Sequence, residues 1–193
     1  MPRLSSASAG TVKRMYDEGV WKRHADLDIE NSEFCKFIRN LAASLHAENA
    51  LEVGCSSGRD LKLFNPSAPV SGVDLNKYAI SKAKHNFPNW EFKVASVTDL
   101  PFEDNSFDFV FTHKTLNYVE DDQMDAAISE IFRVTKKYAA NCEIYGDRQG
   151  SNGLVPLDVL ARWMDYKVKV ISNVDMHEEI EPDRARFTLV RKI

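Results

Sequence analysis

The chain has 193 residues, enough for one domain with a substantial core and too few for two independent domains of ordinary size. Hydrophobic residues at 44% and charged residues at 28% match a globular composition, and no run approaches the roughly 20 apolar residues of a membrane span. A net charge of −4 gives no overall attraction for nucleic acid, which favours small-molecule or protein substrates, the small molecule first, with no membrane partner expected and nucleic acid disfavoured.

The opening MPRLSSASAG is small and polar without an apolar centre. It reads as neither a secretory signal nor an anchor; residues 1–15 are expected to be a flexible tail and the protein cytoplasmic. Residues 16–193 are then one domain, with a helical cap over 16–47 ahead of a core over 48–193. In the cap, Phe34, Phe37, Ile38, Leu41 and Leu45 share one helical face, with Asn31 or Ser32 as N-cap. Tyr16, Trp21 and His24 precede that helix, either as a lid that excludes water or as plain packing.

Next comes ALEVGCSSGRDL, in which a strand, Ala50–Val53, runs into Gly54 and Gly58 where a helix should begin. Glycine in such a turn lets bare backbone approach a ligand, so this is read as a nucleotide-like cofactor site. A dinucleotide fingerprint would need a third glycine where Arg59 stands, and a phosphate-cradling loop would need Gly-Lys-Ser/Thr where Gly58 is followed by Arg59 and Asp60. The register that remains is acidic-x-Gly-x-Ser-x-Gly: Glu52, Gly54, Ser56 and Gly58, with Cys55 inside it.

A strand at 70–73 closes on Asp74, about twenty residues past the first glycine, where an acid can accept from ribose hydroxyls. Asn76 caps a helix carrying Ala79, Ile80, Ala83 and Phe87, and Pro88 stops it. Strands at 92–95 and 107–112 flank the loop DLPFEDNS; Met124, Ala127, Ile128 and Ile131 have the spacing of a core-facing helix, and a strand follows at 138–144. Gly146, Gly150 and Gly153 loosen the next stretch, and Pro156 suits the first turn of a helix with Leu157, Leu160, Ala161 and Met164 as its apolar face. Strands at 168–171 and 187–190 complete the chain.

This alternation is that of an α/β, Rossmann-like doubly wound sheet with helices on both faces. Ligands of such sheets lie beyond the carboxyl ends of the strands, which brings residues 52–58, Asp74, 96–97 and 112–118 to one rim. Cys35, Cys55 and Cys142 are far apart and outside any Cys-x-x-Cys pattern, so they read as buried or loop thiols, and the acidic runs DIE, EDD and HEEIEPD read as solvated faces; no metal is expected.

The three motifs, in this order, resemble the class I S-adenosylmethionine-dependent methyltransferases, with Ser56 at the middle glycine and Ala95-Ser96 where that family often has Gly-Asp. The stretches VWKR, ASVTDL, FDFVFTHKTLNYV and RVTKKYAANCEIYGD are similar to small methylases associated with pseudaminic-acid biosynthesis, departing at Lys114, where a glycine is common, and at Tyr118, where a histidine is common. The resemblance implies a seven-stranded sheet with its last strand antiparallel and inserted beside the fifth. It implies S-adenosyl-L-methionine as cofactor and methyl transfer to a small-molecule, carbohydrate-related acceptor. Glu52, Gly54, Cys55, Ser56, Gly58, Asp74, Leu75, Ser96, Val97 and Thr112 are then the cofactor-binding candidates. A hydroxyl acceptor would benefit from a base, and His113 is the candidate, with Tyr118, Lys114 and Asn117 positioning the substrate. Tyr145, Asp147, His177 and Glu178 are weaker candidates, read first as exposed polar loop. The other readings are a protein or peptide amine methyltransferase and a non-catalytic cofactor-binding partner subunit.

Overall fold

The computed structural model describes residues 22–23, 25–26, 32–145 and 157–193. Tyr16, Trp21, His24, Asn31, Gly146, Asp147, Gly150, Gly153 and Pro156 lie outside the described residues, as does the tail 1–15.

Seven strands form one sheet: β1 Ala50–Val53, β2 Val70–Asp74, β3 Glu91–Val94, β4 Phe107–His113, β5 Thr135–Ile144, β6 Val168–Asp175 and β7 Ala185–Lys192. Their order is β3-β2-β1-β4-β5-β7-β6. Strands β1 to β5 are parallel, and β7 is inserted between β5 and β6, antiparallel to both. This is the doubly wound sheet with the inserted antiparallel last strand expected above. Around the sheet, the described residues form helices α1 Glu33–Ser44, α2 Lys77–Asn86, α3 Asp121–Val134 and α4 Val159–Trp163, and no helix among the described residues is long and apolar enough to cross a membrane.

Strand alternation divides the core in two. On β4, Phe109 and Phe111 point to the face carrying α1 and α2, packing with Phe34, Ile38 and Ile80, whereas Val110 points to the face carrying α3 and α4, with Ile128 and Trp163. β1 does the same: Ala50 lies in the first cluster, Leu51 and Val53 in the second. Glu52 therefore projects from the first face, between hydrophobic layers, which is why it is buried.

Local capping sets the helix starts. Ser32 caps α1, its hydroxyl accepting from the Cys35 amide at 3.2 Å, and Asn76 caps α2, its side chain accepting from the Tyr78 and Ala79 amides. The Arg133 guanidinium on α3 donates to the Leu100 and Phe102 carbonyls and pairs with Glu130 and Asp104, pinning the loop between β3 and β4.

Two expectations are corrected. The segment after Gly58 is a run of turns rather than a helix, with bonds from Gly58 to Cys55, Leu61 to Gly58 and Phe64 to Leu61 spanning three residues each. Asp60 is drawn inward to His113, and Pro66, lacking an N–H, arrives too soon for a longer element. The buried face of α4 is Val159 and Trp163, one turn apart, whereas Ala161 and Met164 are exposed. The Trp163 indole donates to Asn141 at 2.8 Å, a polar anchor that apolar spacing alone could not reveal. Strand edges also move: β3 starts one residue early, β5 begins directly at the end of α3, and β6 and β7 are longer than expected.

Candidate functional site

A cavity of about 550 Å³ opens beyond the carboxyl ends of β1 to β4. Of the sequence candidates, Glu52, Gly54, Cys55, Ser56, Asp74, Leu75, Ser96, Val97, His113 and Tyr118 line it. Gly58 and Thr112 do not.

The glycine loop owes its shape to three left-handed residues: Gly54 at φ 80°, Ser56 at φ 48° and Gly58 at φ 81°. At Gly54 a Cβ would fall 2.1 Å from the Thr115 Oγ1, so only glycine allows the loop and the turn after β4 to meet. A Cβ at Gly58 would meet the Phe87 ring at 2.9 Å; that glycine serves packing of the loop on α2 rather than the cavity wall. Ser56 occupies a conformation that favours glycine, and the bond from its amide to Asp74 Oδ2, 2.8 Å, holds it there.

Asp74 is fastened twice, its Oδ1 accepting from the Asn76 amide at 2.8 Å. Burial raises its carboxyl above the ordinary range against the opposing pull of these two amides. A carboxylate has four lone-pair positions, so two remain for ligand hydroxyls. Glu52 is 2% exposed, and its Oε2 has no hydrogen-bond partner. Burial, then the charge of neighbouring Asp60, pushes its carboxyl well above the ordinary range. Burial likewise pushes the Cys55 thiol well up, which makes it inert packing within the loop.

On the far wall, Leu75 is 63% exposed and offers an apolar surface, while Val97 is partly buried against the α3 side of the core. Ser96 turns back on its own chain, its hydroxyl 2.7 Å from that of Thr98 and accepting from the Thr98 amide at 3.2 Å. The turn occupies its oxygen.

Thr112 is corrected outright. Alternation along β4 sends it to the α3 face, where it is 1% exposed, donates to Glu143 at 2.7 Å and accepts from Asn141 at 2.9 Å. Asn117 completes this buried network, bridging the Ile144 N–H and carbonyl with its amide. Asn117 is thereby a brace for the turn Leu116–Tyr118 rather than a substrate contact.

His113 falls on the opposite face and is the hub of the rim. Its Nδ1 lies 2.6 Å from Asp60 and its Nε2 2.6 Å from Glu181, with the ring stacked on Phe34 at a centroid separation of 3.7 Å. Burial alone would depress its pKa, but the charge and bond of Asp60 and the bond to Glu181 prevail and raise it to about 9. At neutral pH the ring is an imidazolium donating from both nitrogens. Neither nitrogen is left for the base role expected of it. Lys114 sits beside it at φ 48°, bonded to Glu181 and Asp183 at 2.8 Å each. Tyr118 borders the cavity as a neutral phenol, raised above its ordinary value by burial.

Tyr145 instead stacks under the Arg186 guanidinium at 3.6 Å, and His177 and Glu178 are exposed loop residues. Sequence reasoning passed over Arg59, Asp60 and Tyr78, which all line the cavity. Arg59 and Asp60 had a signal in lying directly after Gly58; Glu181 lies in the run HEEIEPD expected to be a solvated face, and that expectation is corrected, because the inserted β7 brings it to the rim, where it is 2% exposed. Next to Tyr78, the described part of the N-terminal region contributes Asp26, which accepts from the Tyr78 hydroxyl at 2.8 Å.

A family profile described as a methyltransferase domain matches residues 50–138. An uncharacterized methyltransferase of Synechocystis sp. is 32% identical over 159 residues, covering 80% of this chain and 73% of that protein. A probable S-adenosylmethionine-dependent methyltransferase of Mycobacterium tuberculosis is 31% identical over 124 residues, 62% of this chain and 44% of that one. The chain spans only 36% of the length of an uncharacterized methyltransferase of Schizosaccharomyces pombe and 27% of a transposon protein of Streptomyces fradiae, both 33% identical over the matched part. Among solved structures, the N-methyltransferase NodS of Bradyrhizobium japonicum in complex with S-adenosyl-l-homocysteine superposes with a TM-score of 0.71 at 16% identity, over 91% of this chain and 97% of that one. At that identity the likeness is one of fold.

Proposed function

This chain belongs to the class I S-adenosylmethionine-dependent methyltransferase family, and on that premise we propose that it methylates a small-molecule acceptor, carbohydrate-related by its sequence resemblance. S-adenosyl-L-methionine, when bound, supplies an activated sulfonium methyl group for in-line displacement. The residues present fit it. The observation that carries the reading is the unpartnered, buried Glu52 Oε2 beside a loop at Gly54 where a Cβ has no room. The unpartnered carboxyl oxygen there offers a hydrogen bond to the polar amino-acid end of the cofactor, and bare backbone lets that end come close. Asp74, fixed by two amides, presents its remaining lone pairs to the ribose hydroxyls, and the exposed Leu75 face suits the adenine.

The chain's own part in the reaction is to hold, align and dry the site. His113 organises the rim. Tyr118 and Lys114, which both line the cavity, are the side chains placed to meet the acceptor. The test is calorimetric titration with S-adenosylhomocysteine of the wild type and of Asp74→Ala, followed by mass spectrometry for methylated products in small-molecule extracts. Saturable binding that Asp74→Ala abolishes supports the reading. Absence of heat with the wild type overturns it, and binding without turnover on any extract turns the proposal toward a non-catalytic partner subunit.

A further inference from the structure

At the rim of the cavity, five side chains form an unbroken chain of charge-assisted bonds. Asp60 bonds His113 at 2.6 Å, His113 bonds Glu181 at 2.6 Å, and Lys114 bonds Glu181 and Asp183 at 2.8 Å each. The chain joins three stretches remote in sequence: the turns after Gly58, the end of β4, and the loop 176–184 between β6 and β7. Glu181 is 2% exposed although it belongs to a loop whose neighbours Glu178 and Glu179 are exposed. A carboxylate is taken out of water there only because both its oxygens meet cations.

Lys114 carries the second observation. Its φ of 48° is a conformation that favours glycine, and its amide donates to the Cys142 carbonyl at 2.8 Å. A residue with a long side chain persists in that region where its surroundings over-determine it. Here the two carboxylates of the loop do so.

We infer that His113 is a positioning residue: clasped between Asp60 and Glu181, it fastens the 176–184 loop to the glycine-loop side of the cavity and sets Lys114 as the donor that selects the acceptor. The identity of that acceptor as a methyl acceptor rests on the function proposed above; the clasp itself does not. An ammonium has three N–H bonds, and Glu181 and Asp183 take two. The third is available to a lone pair on the acceptor. With Arg59 beside Asp60, three carboxylates meet three cations at this side of the mouth, so the Lys114 N–H selects for a hydrogen-bond-accepting group on the acceptor rather than for net charge.

The clasp is pH-dependent, and its surroundings set where. Besides Asp60, Glu181 and Lys114, the groups near the ring are Cys35 on α1, whose thiol lies 3.6 Å from Asp60, Cys142 and Glu143 on β5, and Arg59 and Glu52 beside Asp60. With these in place the ring keeps its proton until about pH 9.

The test is amide hydrogen exchange of residues 176–184 in the full chain, in wild type, Glu181→Gln and Lys114→Gly, with and without S-adenosylhomocysteine. Lys114→Gly suits the backbone at that position and should fold even if the buried Glu181→Gln does not. Corrected for intrinsic exchange, wild-type loop protection should be full below about pH 6.5 and fall steadily as pH rises toward about 9, levelling off beyond it. Glu181→Gln should lower protection of the loop about tenfold or more, and Lys114→Gly severalfold, with β1 unchanged and the pH step gone in Glu181→Gln. Loop protection equal to wild type in both variants, or a pH step that survives Glu181→Gln, overturns the inference. If S-adenosylhomocysteine fails to bind the wild type, the proposed function falls, while the exchange of the loop without ligand still decides the clasp.

Discussion

His113 and Glu181, 68 residues apart in the chain, share a 2.6 Å bond because β7 is threaded between β5 and β6 and returns the loop ahead of it to the rim. Each partner reshapes the other. Burial would raise the Glu181 carboxyl, but the bond and charge of His113 and those of Lys114 bring it down to about 2, while His113 rises to about 9.

The pH dependence of folding follows from those two shifts. A raised histidine contributes stability that is fully present below its unfolded value near 6.5 and is lost as pH rises through about 9. A depressed carboxylate contributes stability present above its unfolded value near 4.5 and lost as pH falls through about 2. The bond is common to both, so the plateau lies between about 4.5 and 6.5, with decline on either side. Urea denaturation of the wild type should show a loss of about 3 kcal/mol between neutral pH and a pH above the folded histidine value. His113→Gln should be less stable at neutral pH and nearly flat over that alkaline interval.

Gly54→Ala is expected to be the most damaging single-methyl change in the loop. A Cβ would lie 2.1 Å from the Thr115 Oγ1 at a backbone φ of 80°, so both strain and overlap oppose it. Left-handed backbone costs about 1–2 kcal/mol and overpacking about 1–3 kcal/mol more. Thr115→Gly should recover the overlap part but not the backbone part. Chemical denaturation of the single and double variants measures both.

Thr112→Val separates the buried network from the cavity. The change removes the hydroxyl that donates to Glu143 and accepts from Asn141, stranding both, at a cost of about 1–3 kcal/mol. Because Thr112 does not line the cavity, affinity for S-adenosylhomocysteine should stay within about twofold of wild type where the variant is folded. A larger loss of affinity would return Thr112 to the cofactor site.

What the sequence made legible was local. Strand β1, the cap at Asn76 and the core faces of α1 and α3 follow from alternation, side-chain capping and helical spacing, each decided within a few residues. Period-two reading of β4 also held the key to Thr112: Phe109, Phe111 and His113 share one face, and Val110 and Thr112 the other. The partners of His113 were illegible, since Asp60 lies 53 positions before it and Glu181 68 after, and their meeting depends on strand order. The role proposed for His113 changed accordingly from base to positioning residue. The turns after Gly58 were misread because helix spacing there is cut short by the inward pull on Asp60.

Ser96→Asp tests the one place where this chain lacks the carboxylate common in its family. Ser96 now spends its hydroxyl on the Thr98 hydroxyl and amide, closing the turn to Asp99. An aspartate has the same reach for that amide through one oxygen, as in an Asx-turn, and would leave its second oxygen facing the cavity that residue 96 already lines. A hydrogen bond to a charged acceptor is worth about 1.5–3 kcal/mol before the cost of desolvating the new charge, so a gain of about tenfold in S-adenosylhomocysteine affinity is expected. Titration calorimetry of both proteins, with S-adenosylhomocysteine and with an analogue whose exocyclic adenine amine is replaced by oxygen, reads the effect. The gain should vanish with the analogue, because an oxygen there has no N–H to give. Equal gains with both ligands would place the adenine amine away from residue 96.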